Sequence, residues 1–70
     1  MAKTEVIFEV RESPEGGFEA RALGCSIFTE ADSFDELKEM ARDAVRSHFD
    51  AAEMPHVIRL HLVRDEVITA

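Results

Sequence analysis

The sequence predicts one α+β domain, residues 1–70, with three strands, a single helix and a fourth strand. Three observations support this order. Apolar and polar residues alternate in the first and last thirds of the chain, as expected for strands with one buried face. Between them, one segment has the helical spacing of apolar residues and begins with a capping box. A chain of this length buries only a small core, so we expect oligomerisation to add stability.

The first strand is predicted from Thr4 to Glu12, where apolar residues occupy every second position on one face. The next four residues, Ser13 to Gly16, fit a type I turn, because Pro14 presets the backbone dihedral of the second turn position. Gly17 can then adopt a left-handed bulge. A hairpin is therefore expected to connect the first two strands.

The second strand is predicted from Phe18 to Ala22, with Phe18, Ala20 and Ala22 beneath the helix. Its small alanines would allow the helix to approach the sheet closely. A short third strand is expected from Cys25 to Thr29 or Glu30. It would place Ile27 and Phe28 on opposite faces, so that one large apolar side chain must find cover away from the helix.

The helix start is marked by a capping box, in which Ser33 is followed three residues later by Glu36. Asp32, Asp35 and Glu36 also place negative charge at the positive end of the helix dipole. One half of the helix is predicted to face the sheet, and it contains Phe34, Leu37, Met40, Ala41, Ala44, Val45, His48 and Phe49. The single helix is therefore expected to cover one sheet face.

A loop is predicted from Asp50 to Pro55, because Pro lacks an amide hydrogen and disfavours helix at the preceding residue. The alternation then resumes from His56 to Arg64. A strand that is reached through a helix usually lies parallel to an earlier strand by a right-handed crossover. The last residues, Asp65 to Ala70, contain two apolar side chains and are expected to pair or pack.

Charge and cysteine content limit the possible partners and the compartment. Fifteen acidic and eight basic residues give a net charge of −7, which disfavours direct binding to DNA or RNA and favours a basic protein partner. A single cysteine cannot form an internal disulfide, and the first residues lack the apolar region of a secretory signal. No apolar run is long enough to span a bilayer. The sequence predicts a cytoplasmic protein without a membrane role.

Several motifs together resemble the N-terminal domain of HicB-like antitoxins, from type II toxin–antitoxin systems. The resemblance covers about Val6 to Phe49. The matching segments are the acidic Gly-Gly turn at Glu15 to Phe18, the Gly24-Cys25 corner, the helix approach from Thr29 to Ser33, and the helix end from Ala44 to Phe49. The resemblance implies a partial ribonuclease-H fold: a three-stranded antiparallel meander, a helix, and a fourth strand parallel to the first.

Two positions depart from the usual family pattern, and both affect local loop geometry. Leu23 stands where the family usually has Pro, and Ala31 stands where it usually has Gly. Many HicB antitoxins also carry a helix-turn-helix or ribbon-helix-helix module after this domain. The six residues after Arg64 are too few for such a module, so a stand-alone form that does not bind its own promoter is expected.

The sequence favours a binding protein over an enzyme. Ribonuclease-H enzymes hold two divalent ions with converging carboxylates, and here Glu9 could pair only with Glu30 or Asp32, because the fourth strand offers no acid. The soft metal ligands show no zinc-site spacing; they are Cys25, His48, His56 and His61. His48 is expected to be a packed or rim side chain. We therefore expect a non-catalytic protein without a cofactor or metal.

The resemblance implies a binding module that neutralises a small, basic, mRNA-cleaving HicA-like toxin by masking its RNA-binding surface. The residues expected to bind this partner are Glu15, Glu30, Asp32, Asp35 and Glu36. A homodimer or larger oligomer is expected through apolar side chains on the sheet face opposite the helix, namely Ile7, Leu23, Phe28, Val57 and Val63. The alternative is a solitary homo-oligomeric structural or adaptor domain that has no cognate toxin.

Overall fold

The computed structural model describes residues 5–70 and contains one four-stranded sheet and one α-helix. The elements are β1 (Glu5–Glu12), β2 (Phe18–Ala22), β3 (Phe28–Ala31), α1 (Phe34–His48), a 3-10 helix (Ala51–Glu53) and β4 (Val57–Val63). The strand order is β3-β2-β1-β4, with β1 antiparallel to β2, β2 antiparallel to β3, and β1 parallel to β4. The predicted α+β fold class and β-β-β-α-β order are confirmed.

The hairpin between β1 and β2 closes at the predicted turn. The backbone N–H of Gly16 donates to the Ser13 carbonyl at 3.0 Å, and the Ser13 N–H donates to the Gly17 carbonyl at 2.9 Å. Gly17 has a φ of +81°, and a Cβ at this position would lie 2.5 Å from the Ala31 carbonyl oxygen. Glycine is therefore required at residue 17 both for the backbone conformation and for the close approach of the β3 end.

The third strand was predicted to begin too early. It begins at Phe28 rather than at Cys25, and it ends at Ala31. The backbone N–H of Ala22 donates to the Ile27 carbonyl at 2.9 Å, and Gly24 between them has a φ of +87°. This hydrogen bond closes the loop between β2 and β3, so Cys25 and Ser26 lie in the loop and the strand begins after them.

The core lies between α1 and the sheet. Its fully buried side chains include Phe8 and Leu37, and Ile27 is buried while Phe28 faces away from the helix with 55% exposure. The core residues are Val6, Phe8, Val10, Ala20, Ala22, Ile27, Leu37, Ala41 and Val45. Met40 and His48, which were expected on the buried half of the helix, are exposed. The buried strip of α1 is narrower than the predicted apolar half.

The ends of α1 follow from local hydrogen bonds. The Ser33 Oγ accepts a hydrogen bond from the Glu36 backbone N–H at 3.1 Å, which confirms the predicted N-cap. At the other end, the Phe49 N–H donates to the Val45 carbonyl at 3.1 Å. The chain then makes a short 3-10 turn before the buried Pro55 leads into β4.

The helix does not cover all four strands. It packs mainly against β3 and β2 and touches β4 only lightly. Four strands spaced by about 4.8 Å place the outer strands about 14 Å apart, whereas a helix with its side chains is about 10 Å wide. As a result, Ile58 and Leu60 of β4 are only half-buried and Leu62 is 43% exposed on the helix side.

Candidate partner-binding surfaces

An acidic depression lies where the β1–β2 hairpin meets the start of α1. The register pairs Phe18 with Ala31, which brings the hairpin tip beside the end of β3 and the approach to the helix. Four of the five acidic residues predicted to bind a partner line this depression, and we call them the acidic end: Glu15, Glu30, Asp32 and Glu36. Asp35, the fifth, does not line it and instead contacts the Lys38 Nζ at 3.4 Å.

The acidic end has no basic counterpart within residues 5–70. None of its four carboxylates forms an ion pair there, whereas Glu5, Glu9 and Glu12 each pair with an arginine. The positive end of the α1 dipole stabilises negative charge at Asp32 and Glu36. An exposed group of like charges beside a helix start attracts cations and cationic proteins.

Four of the five residues expected at an oligomer interface form an apolar band on the open face of the sheet. The Leu23 N–H donates to the Ile7 carbonyl at 2.9 Å, so these two residues are neighbours across β1 and β2. Val57 lies opposite Glu5, one step along the same face from Ile7, and Phe28 lies opposite Arg21. We call this set the open-face band: Ile7, Leu23, Phe28 and Val57.

The open-face band is substantially exposed in a single chain. Leu23, Phe28 and Val57 are 52%, 55% and 49% exposed. Val63, the fifth predicted residue, lies opposite Arg11 at the other end of β4, which is about 20 Å along the strand from Val57. The structure therefore separates Val63 from the other four.

Charged pairs lie beside the open-face band on the same face of the sheet. Arg59 donates from Nε to Glu5 Oε1 at 3.2 Å and from a terminal nitrogen to Glu5 Oε2 at 3.1 Å. These hydrogen bonds, together with the negative charge of Glu5, raise the pKa of the Arg59 guanidinium above its ordinary value. Such exposed pairs add little to stability, but they fix the orientation of both side chains.

The carboxylates considered for a nuclease site lie apart. Glu9 accepts a hydrogen bond from Arg11 Nε at 3.0 Å. Glu30 lies on β3, and β2 separates that strand from β1. Within residues 5–70, no three His, Cys, Asp or Glu side chains are grouped so that they could hold a metal ion.

Cys25 and His48 lie outside these surfaces. Cys25 is partly buried against the core, and its thiol is not in a disulfide. The His48 ring stacks edge-on against Phe49, with 4.9 Å between the ring centroids. His48 is exposed, which fits the rim position and not the packed position of the two that were expected.

A second depression, between α1 and β4, was missed by the sequence analysis. Its lining residues are Phe34, Lys38, Ala41, Arg42, Ile58 and Leu60. A neighbouring depression shares Arg42 and Ile58 and continues to Arg46 and Met54. We call the two together the α1–β4 groove. The sequence does contain an indication of this groove: it predicts four strands but only one helix, and one helix is too narrow to cover four strands.

Two relatives identify the family of this chain. Over 50 residues, 71% of the chain and 74% of the relative, it is 58% identical to a UPF0150 protein of Archaeoglobus fulgidus. Over 64 residues, 91% of the chain and 90% of the relative, it is 39% identical to a UPF0150 protein of Thermotoga maritima. The chain belongs to the UPF0150 family. No protein-family model and no solved structure matches it significantly.

The UPF0150 designation states no activity for either relative, so it does not assign a role to the surfaces described above. Among the described residues of this UPF0150 protein, no helix is both long enough and apolar enough to cross a membrane.

Proposed function

We propose that this UPF0150 protein is a non-catalytic binding module of the HicB-like antitoxin type, acting in the cytoplasm. In this proposal it neutralises a small, basic, mRNA-cleaving toxin by occupying the toxin's RNA-binding surface. The observation that carries the proposal is the acidic end, where Glu15, Glu30, Asp32 and Glu36 line one depression without an ion-pair partner among the described residues.

The mechanism rests on charge. A ribonuclease binds the phosphates of its substrate with basic side chains, and a row of carboxylates presents a similar series of negative charges. The net charge of −7 steers a cationic partner toward the protein over long range, and the acidic end then competes with RNA for the same basic surface. Charges at the rim of an interface mainly affect the association rate and its salt dependence.

The open-face band favours a second candidate, a homo-oligomeric structural or adaptor domain without a cognate toxin. Three of its four side chains are about half exposed, and burying them between copies would remove apolar surface from water. This candidate does not need the acidic end. The two candidates therefore differ in which substitutions impair function.

The test is capture of the partner from the native host, followed by binding kinetics. We expect the chain to recover a small basic ribonuclease. Replacing Glu15, Glu30 and Asp32 with Lys should slow association about tenfold or more at low salt and flatten the salt dependence. A matched control replaces Asp43, Asp50 and Glu53 with Lys, which changes the net charge equally at exposed sites away from the acidic end.

Two results would contradict the toxin proposal. One is a capture experiment that recovers no basic ribonuclease. The other is equal association rates for the two charge-reversed variants, since net charge alone, and not the acidic end, would then set the rate. Circular dichroism spectra of both variants check that the fold is kept, because losing Asp32 near the helix start can itself cost up to about 1 kcal/mol.

A further inference from the structure

We propose that the α1–β4 groove binds the segment from Asp65 to Ala70 of a second copy of this chain, which adds as an antiparallel strand along the edge of β4. This inference is independent of the proposed toxin partner. It concerns a different surface from the open-face band, which lies on the opposite side of the sheet.

The groove has an apolar floor and a basic rim. Ile58 and Leu60 of β4 are half-buried, and Leu62, next on the same side, is 43% exposed. On the helix side, Lys38 and Arg42 line the groove, and Arg46 lines its continuation. These three basic residues are spaced by four positions, so they lie along one edge of α1. Lys38 contacts Asp35 at 3.4 Å and Arg42 contacts Glu39 at 3.0 Å, whereas Arg46 forms no ion pair among the described residues. The basic charge of the rim is therefore partly neutralised within the chain.

The edge of β4 is open to pairing. The strand order β3-β2-β1-β4 places β4 at the edge of the sheet, and no other described segment pairs with its outer side. An unpaired edge presents backbone N–H and C=O groups that can bind an added strand. The groove and this edge adjoin, so one extended segment can bind to both.

The segment after β4 has the matching chemistry. Val67 and Ile68 are 93% and 86% exposed, the highest values among the large apolar residues described. Asp65 and Glu66 precede them and supply negative charge opposite to that of the groove rim. If the alternation of β4 continues, Glu66 and Ile68 project to the same side as Ile58 and Leu60. Ile68 would then cover the apolar floor while Glu66 approaches the basic rim.

The segment that fills the groove must come from another copy. The residues after Val63 continue away from β4, and reaching their own groove would require the chain to reverse direction. Of the residues that favour a tight reversal, the sequence from Asp65 to Ala70 contains one, Asp65, and it has no Gly or Pro to complete a turn. In an antiparallel arrangement about a two-fold axis, the edge of each β4 pairs with the segment from Asp65 to Ala70 of the other copy, so both grooves are filled at once.

A charge-swap experiment on the full chain tests the proposal. Light scattering and sedimentation over a range of protein concentrations should show a dimer. We expect Ile68→Asp to raise the dimer dissociation constant on the order of tenfold or more, because it places a charge on the apolar floor. Glu66→Lys and Arg42→Glu should each weaken the dimer, and the double variant Glu66→Lys, Arg42→Glu should regain much of the loss.

Leu23→Asp is the matched control, because it places the same charge on the open-face band. It should leave the groove-mediated dimer intact. The proposal is overturned if the unmodified chain is monomeric up to about 100 micromolar, a weak-affinity limit. It is also overturned if Leu23→Asp dissociates the dimer while Ile68→Asp does not, or if the double variant shows no recovery. Ile68 and Glu66 are exposed in the single chain, so these substitutions leave the fold unchanged.

Discussion

The helix α1 covers β2 well and β4 only in part. On the β2 side, Ala20 and Ala22 are 1% and 5% exposed. On the β4 side, the larger Ile58, Leu60 and Leu62 are only partly covered. Both strands show the same apolar alternation, so alternation alone does not determine which strand the helix covers. Small side chains on β2 let the helix approach closely, and its limited width then leaves β4 uncovered.

The largest expected effect contrasts a core residue with a partly exposed residue on the helix side of β4. Phe8 is completely buried, so Phe8→Ala should lower the free energy of unfolding by about 3 to 5 kcal/mol, through lost burial and a cavity. Leu62 is 43% exposed, so Leu62→Ala should cost less than about 1.5 kcal/mol. Urea unfolding at one fixed protein concentration measures both. Similar losses would show that the β4 side is as well covered as the core.

The fold could be predicted because its determinants are local. The alternation of β1 and β4 and the cap at Ser33 involve residues close together in sequence. The start of β3 could not be predicted, because it depends on a hydrogen bond from Ala22 to Ile27 across a loop with Gly24 at positive φ. Residue spacing does not show whether such a loop replaces the first residues of a strand.

The acidic end, the open-face band and the α1–β4 groove could be predicted less well than the fold. The acidic residues were chosen for their charge, and the hairpin register then brought four of them to one depression while Asp35 paired with Lys38. Val63 was grouped with Val57 because both face away from the helix, but position along the strand separates them. The α1–β4 groove depends on where the helix lies across the sheet, which is a property of tertiary packing.

The next largest effect tests the close contact between Gly17 of the hairpin and Ala31 at the end of β3. Gly17→Ala would place a Cβ 2.5 Å from the Ala31 carbonyl oxygen, in a backbone at φ +81°. Gly16→Ala is matched to it, because Gly16 has φ +99° but no atom within 4 Å of the added Cβ. Both should lose about 1 to 2 kcal/mol from the left-handed backbone, and Gly17→Ala should lose more. Thermal unfolding of the two variants gives the difference, and equal losses would rule out a tight hairpin contact.

The smallest effect concerns Ser33, the N-cap residue of the helix that covers β2 and β3. The Ser33 Oγ accepts a hydrogen bond from the Glu36 N–H, so Ser33→Ala leaves this donor at the helix start without its side-chain partner. We expect a loss of about 1 kcal/mol in urea unfolding. Ser47→Ala is the control, because Ser47 is exposed within the last turn of α1 and alanine is the better helix former there. A loss for Ser47→Ala equal to that for Ser33→Ala would contradict the role of the cap, because alanine raises the helix propensity at residue 47 and removes no capping hydrogen bond there.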